Sequence, residues 1–277
     1  MNEPPIQVFS HFHKPFPFNF HSSWVKATYS GGTGPYEWHP PTDDDYINVT
    51  SRNFLDKYRH YYSSIEEWEF LRAIGQQVTD YYTTHLDTSS EYLGCASYRR
   101  FLWIDPNDMN ERKNLPATVE SSNLITSDEQ MNKALDLLQN CDLIITRERT
   151  ISTSVETQYL TYELPEYWFL FKEGITRVNP SYKNEMNWFI ESNRCHYEAV
   201  YIMKKHLFRQ MMIEFFLILE HVWKNCSEVY PDKTKKHYDC SEPYPWRYPG
   251  FLHERYVPFF LHANKLSKVE VPLAFLS

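Results

Sequence analysis

Glycine is scarce in this chain, with 7 residues in 277. Neither GxGxxG nor GxxxxGK(S/T) occurs, which excludes the glycine-rich phosphate loops of dinucleotide binders and P-loop nucleotidases. A cysteine framework is missing too. Cys95, Cys141, Cys195, Cys226 and Cys240 are odd in number, scattered and without a CxxC, which favours reduced thiols in a cytosol-like compartment over disulfides or a zinc ribbon. There is no basic excess. The formal net charge is −8, which argues against a nucleic-acid partner, although a local basic patch is compatible with it. Long apolar runs are absent as well. The one near Phe215 to Leu219 is bounded by Glu214 and Glu220, too short to span a bilayer. The opening Met-Asn-Glu-Pro-Pro carries no signal-peptide pattern. Together these absences predict a soluble, cytoplasmic protein with no transmembrane segment.

Aromatic residues are abundant, at 17% of the chain, with 21 Tyr and 8 Trp. The apolar fraction of 42% over this length suffices for one domain with a real core. Ile6 to Phe12 reads as an opening strand, running into His11-Phe12-His13-Lys14. His11 and His13 share one strand face by the period of two; hydrogen bonding is the simpler role for them and metal ligation the sharper one. Residues 15–50 are a Pro-, Gly- and Ser-rich irregular segment, of a length uncommon unless functional. Helical spacing then runs from Arg52 to about His85. Residues 105–125 read as loop, Asp128 to Gln139 as an amphipathic helix and Asp142 to Thr146 as a buried strand. His196 to Met203 reads as a further strand, followed by a long helix from Lys204 to about Trp223 and a closing strand from Val269 to Leu276. Alternating strands and helices predict an α/β fold.

The stretch Glu91 to Asp108 is the organising element. A short buried strand, Tyr92 to Ala96, is followed at once by Tyr98, Arg99 and Arg100. In open α/β sheets ligands bind beyond the carboxyl ends of the strands. The planar fork of arginine suits a phosphate. Arg99 and Arg100 therefore read either as a diphosphate grip or as surface ion pairs. A divalent ion would have Asp105 and Asp108 available.

Five segments, in this order, resemble the DUF4422 group of glycosyltransferases, which act in capsule and O-antigen synthesis. They are His13-Lys14; Gly94-Cys95-Ala96-Ser97-Tyr98-Arg99-Arg100-Phe101; Ser154 to Tyr159; Tyr201-Ile202-Met203-Lys204; and Arg247, Gly250, Phe251, Glu254 and Arg255. The chain departs from that pattern at Ser97, where the group has His, and at Ala199, where it has Asn. A divergent member of the kind that makes viral capsid glycans fits these departures, and in a virus it would act in the host cytoplasm.

The resemblance implies a GT-A-like α/β domain with a mixed, mostly parallel central sheet flanked by helices. It implies a nucleotide-binding half at about 1–150 and an acceptor half at about 151–277. The activity implied is transfer of a sugar from a nucleotide donor, UDP-linked and of the UDP-xylose or UDP-galactose kind, to a hydroxyl of an oligosaccharide acceptor. His11, His13, Lys14, Ser97, Tyr98, Arg99 and Arg100 would then bind the donor. Trp246, Arg247, Tyr248 and Arg255 would bind the acceptor, aromatic rings packing on sugar C–H faces. Mn2+ or Mg2+, or else arginines, would neutralise the departing diphosphate.

The base that takes the acceptor proton is expected at Glu254, then His253, then Glu198. The bland alternatives are a structural Glu254–Arg255 or Glu254–Arg247 pair and, for Glu198, a solvated edge residue. Two other classes stay open: a non-catalytic carbohydrate-binding protein, which needs the aromatics but not the arginines, and a glycoside hydrolase using Glu254 with a second acid.

Overall fold

The structure is a computed structural model, and it describes residues 4–12, 22–29, 46–48, 89–97, 99–226 and 248–277. Its strands are β1 (Ile6–Phe12), β2 (Val25–Tyr29), β3 (Tyr46–Asn48), β4 (Tyr92–Ser97), β5 (Arg100–Leu102), β6 (Arg112–Leu115), β7 (Leu143–Thr146), β8 (Arg149–Thr150), β9 (Arg194–Cys195), β10 (Tyr201–Lys204), β11 (Lys268–Val271) and β12 (Leu273–Leu276). The central path runs β11-β7-β10-β4-β1-β2-β3. All neighbours on it are parallel except β10, which is antiparallel to both β4 and β7. β5, β12 and β6 extend the sheet from β4, and β8 with β9 forms a separate two-stranded ribbon. The expected mixed, mostly parallel central sheet flanked by helices is the architecture observed.

The sheet is buried on both faces, and the side-chain period of two sorts its residues. Phe9, Leu93, Cys95, Leu143, Ile145, Tyr201 and Met203 belong to one core cluster. Val8, Ala96, Ile144, Ile202 and Val271 belong to the other. The second face is covered by α1 (Val119–Ile125) and α2 (Asp128–Leu138). Thr118 and Ser127 cap them, their hydroxyls accepting from the Ser121 and Gln130 amides. The first face carries α3 (Val155–Tyr162), α4 (Pro165–Val178), α5 (Lys183–Glu191), α6 (Lys205–Cys226) and α7 (Tyr248–Ala263). Helix α6 buries Phe208, Met211, Met212, Phe215, Ile218, Leu219 and Val222 along one stripe. The methionine and phenylalanine stripe is therefore core.

Three segments differ from the expectation. Residues 105–125 hold β6 and α1 as well as loop. The strand expected over His196 to Met203 is broken by a single 3-10 turn, Tyr197–Ala199, so β10 starts at Tyr201. The closing strand is two strands, because Pro272 lies between them and offers no N–H to a ladder. The helical pattern expected from Arg52 to His85 lies outside the described residues. Among the described residues, no helix is long and apolar enough to cross a membrane.

Candidate active site at the carboxyl edge of the sheet

β1, β4, β7 and β11 end on one edge, and β10 begins there because it runs the other way. The inversion brings the turn before β10 against the residues after β4. β4 and β5 form a hairpin in which Ser97 opposes Arg100, with Arg99 in its turn. The two adjacent arginines diverge. The Arg99 guanidinium lies 5.1 Å from the Phe275 ring of β12, a ring Arg112 also covers at 3.7 Å. Arg100 turns the other way and meets Glu198 at 4.0 Å, with its side chain 40% exposed. Ser97 is half-buried beside it.

Glu198 sits in the turn at φ 77°, ψ 2°, and Ala199 follows at φ 44°. Non-glycine residues there cost about 1–2 kcal/mol each. Two in succession mark a segment held against its local preference, a pattern that concentrates at functional sites. The Glu198 carboxylate, 16% exposed, is thereby turned from the expected strand edge toward Arg100.

Glu254 and its neighbours lie on α7. Glu254 is in mid-helix. Its Oε2 accepts from Arg255 Nη1 at 3.0 Å. Arg255 also donates to the Phe251 carbonyl at 3.0 Å and to Gln158 Oε1 at 2.7 Å, and lies over the Tyr159 ring. Two segments remote in sequence, Ser154 to Tyr159 and Gly250 to Arg255, thus lock together through one buried guanidinium. His253 is buried in the core, where its Nε2 pairs with the Tyr201 hydroxyl at 3.1 Å. Burial holds its pKa down to about 3. Among the described residues the ring lies against Tyr201 and Phe215.

Asp105 and Asp108 are tied into one turn. Asp105 Oδ1 accepts from the Asn107 amide at 3.0 Å, and Asp108 Oδ1 from the Asn110 amide and side chain at 3.1 and 2.7 Å. Those Asn110 bonds, with Lys113 and Arg147 nearby, hold the Asp108 carboxyl below its usual range. Arg147, just past β7, threads this turn and donates to the carbonyls of Pro106, Asp108 and Asn110. A divalent ion here would face a lysine and an arginine already in position, and only carboxylate oxygens not spent on the turn would remain for it.

A second cluster was not legible in the sequence. Glu148, His196 and Glu270 bring one ligand atom each within 4.8 Å of one another. His196 Nδ1–H donates to the Thr146 carbonyl at 2.7 Å, so its Nε2 lone pair faces the carboxylates. This is an orientation metal sites use. The Lys268 ammonium, however, stands 2.9 Å from that Nε2, 2.8 Å from Glu270 and 3.5 Å from Glu148. The positive centre is the lysine. An ion would have to displace it, so the donor set does not fit a divalent metal as it stands. Burial, then Lys268, lowers the His196 pKa. The charged run Arg147-Glu148-Arg149 was the signal at one end. Nothing in the local pattern linked it to His196 or Glu270, which come from distant strands.

His13, Lys14, Tyr98, Trp246 and Arg247 lie outside the described residues, and His11 and Tyr248 are described in their backbone alone, at the end of β1 and the start of α7. At the opposite edge of the sheet Lys204, Lys205, His206 and Arg209 line a separate basic cleft of about 400 Å3 with Glu91 and Tyr92.

Residues 76–265 match the family described as "Domain of unknown function (DUF4422)". No curated protein matches the sequence. Among solved structures the chain is similar to the apo structure of WbbM, a bifunctional glycosyltransferase, with a TM-score of 0.70 and 16% identity. The match covers 98% of this chain and 45% of that one, so the chain spans less than half the length of its structural relative.

Proposed function

The chain belongs to the DUF4422 family, and from that premise we propose that it is a glycosyltransferase, moving a sugar from a nucleotide donor to a hydroxyl of a glycan acceptor. The observation that carries this reading is the meeting of Arg100 and Glu198 at the carboxyl edge of the sheet. The overall likeness to a glycosyltransferase fold agrees with it.

In this reading Arg100 binds the donor diphosphate and stabilises the charge that builds as it departs. Arg99 shapes the hairpin that presents it. Glu198 takes the acceptor proton while the acceptor oxygen attacks the anomeric carbon, the bond to the diphosphate breaks, and the nucleotide leaves with that electron pair. Glu198 is preferred to Glu254 because Arg255 holds the Glu254 carboxylate at hydrogen-bond distance. The donor is UDP-linked, with galactose or xylose as the sugar. Residues 1–150 serve the donor and 151–277 the acceptor. Neither acidic cluster suits a metal ion, so no step is assigned to Mn2+ or Mg2+. The test is UDP release from UDP-galactose and UDP-xylose, with and without a glycan mixture. Release from one donor, raised by acceptor, is expected. No release from either, with or without added manganese, overturns the reading, and hydrolysis unaffected by acceptor indicates a hydrolase.

A further inference from the structure

A groove of about 370 Å3 opens between α5, α7, the β8–β9 ribbon and β11. Trp188 stands on its wall, 47% exposed. The indole is stacked on the His262 imidazole at 3.5 Å and 10°. Glu185 holds that imidazole from the side at 2.8 Å. An aromatic plane backed in this way is fixed in orientation, yet much of its surface is left to solvent. The rim mixes signs, with Glu148 and Glu185 set among Arg194 and Lys268. An anion would meet the carboxylates and a cation the lysine and arginine. A hydroxyl both donates and accepts, so a neutral polyol with an apolar C–H face satisfies plane and rim together.

The groove also adjoins the active site. Glu148 follows β7 by two residues at the carboxyl edge. His196, in the groove lining, is two residues from Glu198, at most about 7 Å along the backbone. We propose that this groove is an acceptor subsite that holds a neutral oligosaccharide with one sugar ring laid on Trp188 and its growing end directed toward Glu198. The inference rests on the glycosyltransferase reading for its direction, but binding in the groove is measurable without turnover.

The full chain, as wild type, Trp188→Ala, Trp188→Phe, Arg194→Ala and Phe169→Ala, is presented to immobilised neutral gluco-, galacto- and manno-oligosaccharides. A thermal melt of each variant checks its fold. Phe169 is an exposed aromatic on α4, outside the groove, and serves as the control. Wild type and Phe169→Ala are expected to bind, Trp188→Ala to bind about tenfold more weakly, and Trp188→Phe to fall between. Arg194→Ala, at an exposed rim residue, is expected to weaken binding and carries the test if Trp188→Ala fails to fold. No glycan binding by wild type, or equal binding by wild type and the groove variants, overturns the subsite. UDP release with and without the glycan mixture is followed in parallel. Its absence throughout sinks the transferase reading, and the glycan arrays still decide the groove.

Discussion

Glu198 shows how a residue departs from its local pattern when its surroundings fix the backbone. Sequence spacing puts it on a strand edge; the structure puts it at φ 77°, one residue before another left-handed position, with its carboxylate toward Arg100. If it is the base, Glu198→Gln keeps the shape and removes the proton acceptor. Transfer should then fall by about 100-fold or more with the melting temperature unchanged, as judged by initial rates of UDP release beside a thermal melt. Wild-type turnover in that variant would return the role to Glu254. His253 makes a prediction about stability instead. Its pKa is depressed from 6.5 to about 3 by burial, so the folded protein keeps it neutral while the unfolded chain takes up a proton. The contribution of the neutral ring is therefore intact above pH 6.5 and is lost as pH falls from there toward 3. The Tyr201 hydroxyl at 3.1 Å and, beyond it, the Cys95 thiol are the titratable groups it faces, and both stay protonated through that window. His253→Gln should show a flatter fall of melting temperature across the same window, and an unaltered slope would count against this account.

At the scale of elements, legibility followed periodicity. β4, β7 and α6 were readable because each has a continuous buried run or stripe. The turn at Tyr197–Ala199 and the break at Pro272 were not, since both depend on what the chain packs against. Gly94 lies inside a strand, where a glycine lets another backbone come close, and the backbone that approaches is that of β10. A Cβ there would press into the Tyr201 carbonyl oxygen, with Val8 and Ile202 side chains also crowded. Gly94→Ala should therefore push β10 from β4 and destabilise the fold by about 1–3 kcal/mol, measured by chemical denaturation. A neutral effect would mean that the two strands have more freedom than this packing allows. The motif that contains Gly94 thus has a scaffolding half, Gly94-Cys95, and a half at the sheet edge, Ser97 to Arg100.

For the molecule as a whole, the α/β class was legible, because strands alternating with helices leave few alternatives, whereas the mixed sheet followed only from the family resemblance. The antiparallel insertion of β10 was not, and it is what creates the site: it returns Glu198 to the edge where Arg100 emerges. The Glu148–His196–Glu270–Lys268 cluster was invisible for a like reason, being assembled from β11 and the ends of β7 and β9. Two surfaces are candidates for the diphosphate of the proposed donor, one holding Arg100 and the other, across the sheet, holding Lys204, Lys205 and Arg209. The most direct test is a calorimetric titration of UDP-galactose and UDP-xylose into wild type, Arg100→Ala and Arg209→Ala. The account predicts that Arg100→Ala weakens binding by about tenfold or more while Arg209→Ala leaves it unchanged. Unchanged binding in Arg100→Ala, with the loss appearing in Arg209→Ala, would contradict it.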